Sequence, residues 1–340
     1  MTRRALVLGA RLALLAVVLA LPPDVGAQET EPAHVLRIAT LMPRGGRTTQ
    51  LLNAWNQTLS ERTGGRLQVR VYWGGSMGDE RTVVRRMRIG QIDGASLTSA
   101  GMSLIHRPVL VMQAPGIFQS YRQVDAVRRE IGPELAQAMD TAGFGLLGWG
   151  DAGRVRLFSQ EPLHRPSDLR SRRPWVPSHD SIFREMLGVV GATGIPLSVG
   201  EVFGGLHTRM IDVVPSTAIA TAGLQWFTSL RYVTQQSDGF LVGGMVVRNG
   251  FLEQLRPEDR DALFEVSAET HETLMRGVRQ MDERAFTALT NHGIRSVDID
   301  AHRAEWVRVA HDTRQRMAAR VVPADLLARV ERIAEANREP

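Results

Sequence analysis

The chain contains no cysteine and no lysine. Without thiols it can build no disulfide framework, no thiolate metal site and no cysteine nucleophile, and its fold is indifferent to the redox state of its compartment. Without ammonium groups, Schiff-base catalysis and the lysine of a phosphate-binding loop are excluded. All 41 basic residues are therefore Arg. Long apolar runs are missing as well: after residues 12–21 no stretch approaches the roughly 18 apolar residues that cross a hydrocarbon core about 30 Å thick. Internal repeats and low-complexity linkers are absent. What is present is an ordinary globular composition, 43% hydrophobic and 23% charged over 340 residues, enough for one large or two medium domains. The formal charge of +5 is mild and offers no electrostatic support for a nucleic-acid partner.

Arg3 and Arg4 precede the apolar run 12–21, and Val25-Gly26-Ala27 supplies small residues for cleavage. Residues 1–27 read as a secretory leader, and the mature chain as exported and soluble. Removing the leader takes away three Arg and Asp24, which brings the chain closer to neutrality.

Beyond the leader, short β-rich runs alternate with helical patterns, the rhythm of α/β units. Strands are expected at 35–40, 66–72, 92–97 and 144–149, with helices at 47–63, 79–89 and 121–141 and an apolar stretch at 109–113. The first helix places Leu51, Trp55 and Leu59 on one face and stops at Gly64-Gly65, where a left-handed cap is wanted. After Gly150 the pattern restarts with strands at 154–159, 173–176, 195–197 and 211–214 and helices at 181–190 and 200–207. Two lobes with a cleft between them follow. Pro257 then opens a helix reaching about Asn291, with Leu263, Val266, Thr270, Leu274 and Val278 at helical spacing, long enough to act as a spine across both lobes.

Gly74-Gly75-Ser76-Met77-Gly78 satisfies the G-x-S-x-G pattern of a hydrolase nucleophile elbow, with His207 or His271 as nominal partners. Only two strands precede Ser76 and no His-Gly-Gly oxyanion segment does, so a tight strand-to-helix turn is the better reading and an exported serine hydrolase the alternative. The nine His show no metal-ligand spacing and no cofactor is implied. Asp79-Glu80 and Glu258-Asp259 open helices, where carboxylates meet the positive end of the dipole.

One ordered set of motifs goes further. Leu67-Gln68-Val69-Arg70-Val71-Tyr72, Gly75-Ser76-Met77-Gly78-Asp79-Glu80 and Arg88-Ile89-Gly90-Gln91-Ile92-Asp93-Gly94-Ala95 are followed by Pro166-Ser167-Asp168-Leu169-Arg170, Val176-Pro177-Ser178, Glu201-Val202-Phe203-Gly204-Gly205-Leu206-His207-Thr208 and Ile211-Asp212. From about Val35 onward the chain resembles the solute-binding proteins of TRAP (tripartite ATP-independent periplasmic) transporters. The resemblance implies a two-lobed α/β periplasmic binding protein fold with a central cleft, crossover strands and a long spanning helix. It implies ligand capture by lobe closure, and a TRAP permease or another membrane transport component as partner. Lobe I is expected at 28–152 and about 235–275, lobe II at 153–234 and about 276–340.

The departures concern the ligand clamp. In a segment that the family writes Asp-Leu-Lys-Gly-Leu-Lys-Ile-Arg-Val-Pro, the Arg pairs with a ligand carboxylate; the alignment puts Trp175 there. A second Arg of the family falls at Arg154 or Arg156, and Ser216 stands at about the place of an Asn. Replacing a five-donor guanidinium by an indole disfavours an anion and favours apolar surface. An apolar or amphipathic, lipid-like ligand is therefore expected, lined by Trp175, Ser216, Thr98, Ser99, Met42, Trp73, Trp149, Phe203 and Trp226. The alternatives are a carboxylate receptor using Arg154 or Arg156, and a lipid-transfer adaptor with a different partner.

Overall fold

The computed structural model describes residues 32–339 except Asp238. The leader read at 1–27 lies outside the described residues.

The first lobe is built in chain order from β1 (His34–Thr40), α1 (Gly46–Arg62), β2 (Leu67–Tyr72), α2 (Glu80–Arg88), β3 (Gly94–Thr98), the short α3 (Ser99–Met102), a 3-10 segment at Arg107–Gln113 and α4 (Tyr121–Thr141). Leu52, Trp55 and Leu59 form the buried stripe of α1, so Leu52 rather than Leu51 begins it. Gly64 and Gly65 follow with φ of 57° and 81°, a left-handed stop that a side chain would strain.

β4 (Phe144–Ser159) is one strand of 16 residues where two were expected. The pattern does not break at Gly150, and the glycines on either side of it have a packing role. A Cβ on Gly148 would stand 2.5 Å from His271 Cγ, and one on Gly153 would run into the Asp282 carboxylate. Both partners lie on α9 (below), so the glycines mark where a helix backs onto the strand, at two register shifts of the ladder.

The second lobe follows with β5 (Trp175–Val176), α5 (Ser181–Val190), β6 (Ile195–Pro196), α6 (Val199–His207), β7 (Val213–Ser216), α7 (Ala218–Gly223) and β8 (Tyr232–Thr234). β9 (Gly239–Arg248) returns to the first lobe, and α8 (Asn249–Leu252), α9 (Pro257–Asn291), β10 (Arg295–Val297), α10 (Arg303–Arg320) and α11 (Ala324–Ala336) complete the chain. α9 has the expected bounds; at 35 residues it is about 52 Å long. It packs on α1 and β4 at one end and on α7 toward the other.

The strand order is β10-β8-β4-β9-β3-β1-β2, with β7 also on β4. β1 pairs parallel with β2 and β3, whereas β9 is antiparallel to both β3 and β4, so the first sheet is mixed rather than wholly parallel. β4 leaves β9 at Val155 opposite Gly239 and continues antiparallel to β7, Arg156 opposite Ser216. β4 and β9 are thus the two strands that connect the lobes. Alternation along them decides the layers: Phe144 and Val246 face the α4 side, Leu147 and Val247 the α1 and α9 side, Phe158 the α6 side and Leu157 the α5 side. α10 packs on α5, and α11 on α4.

Candidate functional site

The C-terminal ends of β1, β2 and β3 carry a polar cluster organised by the start of α2. Asp79 caps that helix by accepting from Thr82 N at 2.8 Å. Glu80, expected only to meet the helix dipole, does more. Its Oε1 accepts from Thr98 N at 2.5 Å and its Oε2 from Thr98 Oγ1 at 2.8 Å. Gly101 leaves the room for it, since a Cβ there would lie 2.6 Å from Glu80 Cδ. A small hollow beside this cluster is lined by Thr40, Leu41, Gly75, Met77, Glu80 and Ser96.

Across from it, β5 ends and His179 precedes Asp180, which caps α5 by accepting from Ile182 N and Phe183 N at 2.9 and 3.1 Å. His179 Nε2 and Glu80 Oε2 are 2.6 Å apart, with side chains only 6% and 4% exposed. This contact joins the two lobes. Burial alone would lower the His179 pKa, but the hydrogen bond to Glu80 and the charges of Glu80, Asp180 and Asp79 outweigh it and raise the imidazole above its ordinary value. Its Nδ1 is buried with no partner.

Trp175 is 5% exposed and lies in the interior of the second lobe. Its Nε1 donates to the Leu197 carbonyl at 2.9 Å, and its ring meets Trp226 edge to face at 5.5 Å. Phe158, Val202, Leu206 and Val214 pack in the same cluster. Phe203 points outward on α6, 44% exposed. Trp149 lies against Gly132 of α4, and Met42 and Trp73 against the α1 and α9 side of the first sheet. Thr98 belongs to the Glu80 cluster, while Ser99 Oγ donates to the Val242 carbonyl at 2.7 Å. The residues nominated as an apolar lining are thus distributed over separate layers.

Both arginines of β4 turn toward α9. Arg154 Nε bonds Glu283 at 2.9 Å, and its guanidinium lies 4.9 Å from the Phe240 ring centroid and 5.4 Å from that of Tyr121. Arg156 is buried over Phe286 at 4.0 Å, with Nε donating to the Gln235 carbonyl at 3.4 Å and Nη1 buried without an acceptor. Burial lowers its pKa against the raising charges of Asp282 and Glu283. Ser216, opposite it in the ladder, donates to the Thr217 carbonyl at 3.2 Å. Ser76 is exposed in the turn after β2; His207 sits at the end of α6, and His271 is buried with Nδ1 on the Ser267 carbonyl at 2.7 Å.

The Glu80–His179 contact escaped sequence reasoning because its partners are 99 residues apart and nothing in the chain links the motif that ends in Glu80 to the residue after Val176-Pro177-Ser178. The Asp79-Glu80 pair was the only signal, and a cap accounts for one half of it.

Two α/β lobes joined by two strands and a spine helix, with a buried polar bridge between them, define a two-lobed binding protein. The profile of the bacterial extracellular solute-binding proteins of family 7, DctP, matches residues 38–320. The chain belongs to that family and, like it, is periplasmic. A solute-binding protein of Chromohalobacter salexigens is 25% identical over 221 residues, 64% of this chain, and the chain spans only 65% of that relative's length. The 2,3-diketo-L-gulonate-binding periplasmic protein of Escherichia coli is 24% identical over 293 residues, covering 82% of this chain and 86% of that protein. Among solved structures, a TRAP periplasmic solute-binding protein from Desulfovibrio salexigens with bound orotic acid superposes with a TM-score of 0.82 at 18% identity, covering 89% of this chain and 99% of that one. This likeness bears out the two-lobed fold that the motifs implied.

Proposed function

We propose that the protein captures a small organic carboxylate between its lobes and presents it to a TRAP-type membrane permease, without breaking a bond in it. The observation that carries this reading is Arg156, a buried guanidinium whose Nη1 has no acceptor. An unsatisfied buried donor on a cation is expensive, and a carboxylate oxygen is the acceptor that fits it best. His179 Nδ1, also unsatisfied, is a second donor at the lobe junction when the imidazole is charged. The relative that binds 2,3-diketo-L-gulonate and the structural neighbour that holds orotic acid support the same ligand class.

The lipid-like cargo expected from Trp175 loses its support, because that indole is held inside the second lobe with its only N–H already used. Titration calorimetry of the purified protein with orotate and D-glucuronate, beside mass spectrometry of copurified material, tests the proposal. Micromolar or tighter binding of an acid, weakened in Arg156→Gln by about 2–5 kcal/mol, is expected. A copurified lipid that neither acid displaces, or an Arg156→Gln variant of unchanged affinity, refutes it.

A further inference from the structure

We propose that the Glu80–His179 bridge is a titratable clasp that closes the two lobes over the solute slot, so that closure is favoured while the imidazole is charged. It is a regulation of the site proposed above and rests on that reading of lobe closure. The clasp itself is measured without any solute, so the two can fail separately.

The argument starts from where each partner is anchored. Glu80 is fixed in the first lobe by two hydrogen bonds from Thr98 and by its place at the first position of α2. His179 is fixed in the second lobe between β5 and the cap of α5. Neither side chain reaches bulk water in this arrangement. Separating the lobes exposes both.

An exposed imidazole titrates near 6.5. In the closed arrangement the groups facing it are Asp79 and Glu80 from α2, with Arg81 beyond Asp79, and Asp180 beside it, with Arg184 on α5. Arg184 is turned aside, its Nη2 donating to the Ser178 carbonyl at 3.0 Å. The three carboxylates dominate, and the closed form binds the proton more tightly than the open form. By linkage, closure is strongest below the open-state pKa and is lost as pH rises through the higher closed-state value; the closed-to-open ratio falls tenfold for each unit by which closure raises the pKa. Neutral His179 can still share one hydrogen bond with Glu80, but the ion pair is gone.

The absence of native cysteine makes the test direct. Spin labels on Asn53→Cys of α1 and His207→Cys of α6, both exposed and each on a helix packed in one lobe alone, report the interlobe distance by double electron-electron resonance. In the solute-free protein a short-distance population is expected near pH 6 and a growing long-distance one toward about pH 9. His179→Gln keeps a donor for Glu80 but cannot titrate, and its distance distribution is expected to stay constant across that range. An unchanged wild-type distribution between the two pH values overturns the clasp, as does a His179→Gln variant that keeps the full wild-type pH response.

Discussion

Trp175 offers the sharpest test of the packing described above, because a ring lining a ligand slot and a ring in a core respond differently to truncation. The indole is buried, touches Trp226 at 5.5 Å, and donates to Leu197 at 2.9 Å. A buried aromatic removes about 150–250 Å² from water, which at about 25 cal/mol/Å² is an upper value of about 4–6 kcal/mol. Truncations of this kind in cores measure about 3–5 kcal/mol, because the cavity relaxes only in part. The lost Nε1 bond leaves the Leu197 carbonyl unsatisfied, worth about 1 kcal/mol more. Trp175→Ala is therefore expected to lower the unfolding free energy by about 4 kcal/mol. Trp175→Phe keeps most of the ring and loses the hydrogen bond, for a loss of about 1–2 kcal/mol. Urea unfolding followed by circular dichroism in the solute-free protein measures both. A Trp175→Ala loss below about 1 kcal/mol would mean that the ring is not part of the second lobe's core, and the apolar-slot reading would regain its ground.

Other sites give independent expectations. Asp93, 1% exposed, is gripped by Arg37 (Nε, 2.6 Å) and Arg248 (Nη2, 2.8 Å). Burial pushes its carboxyl up, but those hydrogen bonds and charges outweigh it and hold it below the ordinary range. Its contribution is present above the unfolded pKa of about 3.9 and is lost as pH falls through the lower folded value, so Asp93→Asn should flatten the acid limb of a stability-against-pH curve; an identical limb would contradict the assignment. Gly153, at φ 112° and backed by Asp282, should tolerate no side chain. Gly153→Ala is expected to lose at least about 2 kcal/mol in urea unfolding, through both strain and displacement of the carboxylate that accepts from Arg154 N and Ile219 N.

Much of the fold was legible because local signals were strong. Pro257 at the head of a long apolar stripe, the Gly64-Gly65 stop and the Asp79 cap are short-range devices whose meaning does not depend on the rest of the chain. β4 was divided at Gly150 for the opposite reason: a glycine that ends a strand and one that admits a neighbouring helix inside a strand, as Gly148 and Gly153 do, look alike in one dimension. The order of the motifs was enough to point to the family, and so to two lobes.

The sequence by itself determined most of the element types, the spine helix and the lack of thiol and lysine chemistry, and it placed an indole at position 175. Only the tertiary structure decided where that indole goes, into the second lobe against Trp226, and that Glu80 meets His179 from the other side of the junction. The physical reason is that helix and strand periodicity is set by neighbours a few residues away. The direction of a side chain at the end of a two-residue strand, and the partner of a buried carboxylate, are set by packing between segments about a hundred residues apart.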